Sequence, residues 1–118
     1  MTRNHWHILR EGNILTMTRA LPVRFDVRAE TTMPDGSRLR LAQQVRQDLW
    51  RRLQTLRGFA PAVQVTRVNG ACRIVAGGRV DAVHNKRRLE DSIAEMLADP
   101  ALRHRWSSYA AHREVVNV

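Results

Sequence analysis

The chain holds a single cysteine, Cys72, among 118 residues. That excludes an internal disulfide and points to a reducing compartment. Long apolar runs are missing too: Met1 to Leu21 has no h-region of the kind a signal peptide needs, and nothing approaches the ~20 apolar residues of a membrane span. The sequence therefore reads as cytoplasmic, with no membrane partner. Acidic residues are scarce, eleven against twenty Lys and Arg. Lysine is nearly absent, since Lys86 is the only one. A GC-rich codon bias accounts for arginine over lysine; it does not account for the net charge of +9. Such a charge attracts polyanions and says nothing about fold.

Motifs of chemistry are also lacking. No Cys-x-x-Cys or His-Glu-x-x-His spacing occurs, His5 and His7 make an incomplete ligand pair, and His104 and His112 stand too far apart on one helix, so no metal is expected. Cys72, His84 and Asp81 supply the residue types of a nucleophilic triad. Yet Cys72 falls on the inward side of a strand, where a thiol acts as a small hydrophobe. Gly77-Gly78 lacks the following lysine of a phosphate-cradling loop. No catalytic residue and no cofactor is assigned, and the reading leans away from an enzyme.

With 43% hydrophobic and 26% charged residues, the chain suits one globular domain. Residues 1–18 read as an irregular N-terminal segment with no clear period. The Met-Thr-Arg opening recurs at Met17, which makes Met17 a second candidate start and would leave 1–16 outside the native protein. Residues 19–113 read as the domain, and 114–118 as a frayed end.

Within that domain Leu21, Val23, Phe25, Val27 and Ala29 alternate with polar residues, the period of a half-buried strand. Pro34-Asp35-Gly36 then supplies turn chemistry. Arg38-Leu39-Arg40-Leu41 resumes the alternation, predicting a hairpin. A helix follows over about 42–57, with Val45, Leu49, Leu53 and Leu56 in one arc and Trp50 roughly 100° away. Val63 to Ala76 forms a second hairpin around Asn69-Gly70, the strongest two-residue hairpin signal. Asn85 caps a helix reaching Ala98, and Asp99-Pro100 starts another. The expected fold is α+β: a mainly antiparallel four-stranded sheet with helices on one face, in the order ββαββαα.

Two binding surfaces follow from this register. Arg24, Arg28, Arg38, Arg40 and Arg73 would share the sheet face away from the helices, a platform for the phosphates of nucleic acid or a ribonucleoprotein. The bland alternative is a solvated face whose charges pair across strands. No aromatic joins that face, so base stacking is missing there. The second surface is Arg46, Trp50 and Arg51 on the first helix, an anchor for an acidic protein partner in an adaptor role. Either surface suits a monomer or a homodimer.

Overall fold

A computed structural model of the chain describes residues 6–111; the expected frayed end at 114–118 lies outside them. The elements are β1 (His7–Glu11), β2 (Ile14–Thr18), β3 (Val27–Pro34), α1 (Arg38–Leu53), β4 (Phe59–Val68), β5 (Ala71–Val80), α2 (Lys86–Ala98) and α3 (Pro100–Ala110). The class is α+β, with one antiparallel sheet and three helices. The sheet has five strands rather than four, in the order β1-β2-β4-β5-β3.

The extra strands come from the segment expected to be irregular. Residues 7–18 form a hairpin that turns at Gly12-Asn13, with Glu11 paired to Ile14. β2 continues the sheet by pairing with β4. Leu15 and Met17, 0% and 3% exposed, enter the core. The hairpin expected from Leu21 to Leu41 is replaced. Its first strand begins only at Val27, because residues 19–26 must pass the ends of β4 and β5 to carry the chain from β2 to the far edge. Backbone bonds fix both ends of that passage, Arg19 N–H to the Pro61 carbonyl and Asp26 N–H to the Gly78 carbonyl. The second expected strand, 38–41, is the first turn of α1. Ser37 caps it by accepting from the Arg40 N–H, and Leu41 opens the buried stripe that continues through Val45 and Leu49. Four alternating residues fit a strand or a helical turn equally well; the stripe beyond them decides for helix.

The central hairpin lies where its turn dipeptide places it. β4 and β5 pair from Val68–Ala71 to Phe59–Val80, with Asn69 and Gly70 both at positive φ, 51° and 74°. Gly77 and Gly78 stand where strands approach too closely for a side chain. A Cβ on Gly77 would lie 1.9 Å from the Val27 carbonyl oxygen, and one on Gly78, at φ +146°, would lie 2.2 Å from that of Ala60.

Pairing registers sort the strand residues into two faces. Leu15, Val65 and Ile74 align in one row and Met17, Val63 and Ala76 in the next, all buried. α1 packs across β4 and β2, α2 across β3, and α3 against α1. Trp106 of α3 is fully buried in this core. Its indole N–H donates to Asp48 of α1 at 2.6 Å, and that carboxylate also accepts from Arg105 and from Arg51 at 3.5 Å. One buried acid thus joins α3 to α1, satisfying an indole donor that would otherwise be stranded.

Candidate functional site

The five arginines expected on one sheet face are dispersed. Arg24 lies in the passage before β3, where it forks onto Asp26 at 2.9 Å and reaches Asp81 at 3.3 Å. The guanidinium, together with the Val80 N–H, holds the Asp26 carboxyl down at about 2. Arg28 is on the expected face but pairs with Glu30 at 2.6 Å. Arg38 and Arg40 belong to the first turn of α1; Arg38 donates to the Gly12 carbonyl, and Arg40 reaches the Tyr109 carbonyl and lies over its ring. Arg73 is on the sheet face and exposed. Between Arg28 and the other strands that face presents Thr16, Gln64 and Val75 in one row, with Gln64 Nε2 donating to Thr16 Oγ1 at 3.1 Å. Its middle is small and neutral.

The second expected surface is partly assembled. Arg46 and Trp50 are one turn apart on α1 and therefore share a face; Arg51 turns away to Asp48. Arg46 and Trp50 meet four residues from elsewhere in the chain. Trp6, just ahead of β1, and Arg19, just past β2, approach from one side, and Phe59 and Pro61 of β4 form the floor. Together these six line a cleft of about 290 Å³. Strand parity explains why: extending the registers of β1, β2 and β4 by one pair brings Trp6, Arg19 and Pro61 onto the same sheet face as Met17 and Val63, two residues further along each strand.

Its electrostatics follow from two cations held against one ring. The Arg46 guanidinium carbon is 4.7 Å from the Trp6 ring centroid and that of Arg19 is 5.9 Å away, both within cation–π range. Arg46 Nε is buried and has no hydrogen-bond partner among the described residues, and burial pushes its pKa down. A guanidinium in that condition favours an anion that can accept from it. Trp50, 45% exposed, offers its indole at the rim. Trp6 was invisible to sequence reasoning because residues 1–18 showed no period, and Arg19 because its place depends on the strand that precedes it. The signal that could have found them is Gly12-Asn13, a hairpin dipeptide with glycine first.

The remaining chemistry stays apart. Cys72 is buried near the start of β5, beside Asp35 and Gly36, and burial pushes its thiol up. Asp81 and His84 lie past the opposite end of that strand, so the three do not converge. Among the described residues no cluster of His, Cys, Asp or Glu could hold a metal ion, and no helix is long and apolar enough to cross a membrane. Set against protein-family models, curated proteins and solved structures, the chain matches none.

Proposed function

We propose that the protein is a nucleic-acid-binding module that takes single strands into the Trp6–Arg46–Trp50 cleft. The observation that carries this reading is the exposed Trp50 indole beside two arginines in one concave site. Single strands are gripped by that pairing: a base stacks on a ring, worth about 1–3 kcal/mol, while the neighbouring phosphate accepts from a cation. The dispersed sheet face lacks the ring; the cleft has it. The net charge of +9 supports the encounter from a distance.

Tryptophan fluorescence tests this directly. Trp106 is sealed in the core, so a ligand in the cleft reports through Trp6 and Trp50. An unstructured oligonucleotide is expected to quench the emission, and Trp50→Ala to weaken binding about tenfold. Arg46→Ala removes one cation from the phosphate backbone and should flatten the dependence of log affinity on log salt by about 0.7. No quenching at low salt, or wild-type affinity in both variants, refutes the reading. Arg46 and Trp50 on one helix face also favour a second reading, docking on an acidic protein segment, since these residue types anchor interfaces. Quenching by a poly-glutamate peptide with no response to the oligonucleotide would select it.

A further inference from the structure

The two edges of the sheet are treated differently. β3 closes one edge, and side chains from the helices occupy two of its outward backbone groups. Glu90 accepts from the Arg28 N–H at 2.9 Å, Arg103 donates to the Thr32 carbonyl at 2.8 Å, and Pro34 has no N–H to offer. β1 closes the other edge. Among the described residues no side chain caps it, and Ile8 and Leu9 are 44% and 41% exposed. An edge left in that state is a template for another strand.

We propose that β1 pairs antiparallel with β1 of a second copy of this chain, about a two-fold axis at Leu9. The register follows from the hairpin. Glu11–Ile14 closes the two-residue turn, so His7, Leu9 and Glu11 direct their backbone groups to β2, and Ile8 and Arg10 direct theirs outward. Backbone bonding on the other side of β2 agrees, because Asn13 and Arg19 bond β4, leaving Ile14, Thr16 and Thr18 for β1. The outward groups can then pair Ile8 with Arg10 of the second copy, and Arg10 with its Ile8, giving four interchain bonds. On one face Leu9 meets Leu9, flanked by His7 opposite Glu11 at both ends. Shifting the axis to Arg10 would put two arginines directly opposite, which is unfavourable. Shifting it to Ile8 would set Leu9 against His7 at both ends and separate the two leucines. On that face the strand is complementary to itself, apolar against apolar and imidazole against carboxylate, as an isologous interface requires. The inference stands on β1 alone and does not depend on what fills the cleft.

Sedimentation equilibrium of the full chain tests it, with three variants. Wild type is expected at twice the monomer mass. Ile8→Pro removes an outward N–H that the monomer does not use, a position where edge strands accept proline, so it should halve the mass and leave the far-UV circular dichroism unchanged. Leu9→Cys should cross-link under mild oxidation, because facing residues in a non-hydrogen-bonded pair lie about 4.5 Å apart at Cα, within disulfide reach. Ile8→Cys should not cross-link, and the buried Cys72 gives no background. A wild-type monomer, a dimer that survives Ile8→Pro, or cross-linking through Ile8→Cys in preference to Leu9→Cys overturns the proposal. Should Ile8→Pro fail to fold, the two cysteine variants still decide.

Discussion

Replacing Asp48 with alanine is expected to loosen α3 from the sheet domain. The carboxylate is 7% exposed and accepts from Trp106, Arg105 and Arg51. These three donors differ in what happens when it is removed. Arg105 and Arg51 are 47% and 59% exposed, so their charges return to water at little cost and the ion pairs themselves contribute little. Trp106 cannot do the same. Its N–H is buried among apolar side chains and would be left unsatisfied, a penalty of about 1–3 kcal/mol. Loss of the packed side chain adds to this, for a total of roughly 2–4 kcal/mol. In a domain of this size that lowers Tm by about 10 °C or more. Urea titration followed by circular dichroism measures it: the midpoint should fall with no change in slope. Asp48→Asn keeps an oxygen for the indole and should lose about half as much. A loss below about 0.5 kcal/mol for alanine, or equal losses for alanine and asparagine, would refute the assignment of the cost to the indole donor.

Gly77→Ala should be among the most damaging single changes, because its Cβ would occupy the position of the Val27 carbonyl; a loss of about 3 kcal/mol or more in the same titration is expected, and a neutral variant would show that β3 can move away. Asp26 links stability to acid. Its folded pKa of about 2 lies below the ordinary 3.8, so the stabilisation is present above pH 4 and is lost as pH falls from there toward 2. Urea midpoints across that range should decline less steeply in Asp26→Asn than in wild type, and parallel curves would remove Asp26 as a cause. Cys72 should react with a disulfide reagent only on unfolding, since burial raises its thiol pKa; rapid labelling of the native protein would contradict its place in the core.

Legibility from the sequence tracked how local the determining signal was. Asn69-Gly70, Asn85 and Asp99-Pro100 each act within a few residues, through turn geometry or a cap, and the structure has a turn or helix start at each. The 21–41 stretch failed because alternation reports burial on one side without naming the neighbour. Val23 and Phe25 are half-buried, as alternation implies, yet they lie in a passage around the sheet end and pair with no strand. The strand order β1-β2-β4-β5-β3 could not be read at all, because pairing β2 with β4 depends on a contact across some 50 residues. The candidate site suffered the same way. Arg46 and Trp50 were visible as helix neighbours, but Trp6, Arg19 and Phe59 reach them only through that long-range pairing.

The clasp on β3 gives the C-terminal helices a sheet edge to guard as well as a core to pack. Arg103 reaches both the Thr32 carbonyl and Thr31 Oγ1 from α3, and Glu90 does its part from α2. A chain translated only as far as residue 99 would already hold all five strands with half of that clasp missing. On the proposed β1 pairing, nascent or truncated forms would then carry two open borders instead of one and could join end to end without limit, whereas the finished chain would add a neighbour on a single side and stop at two.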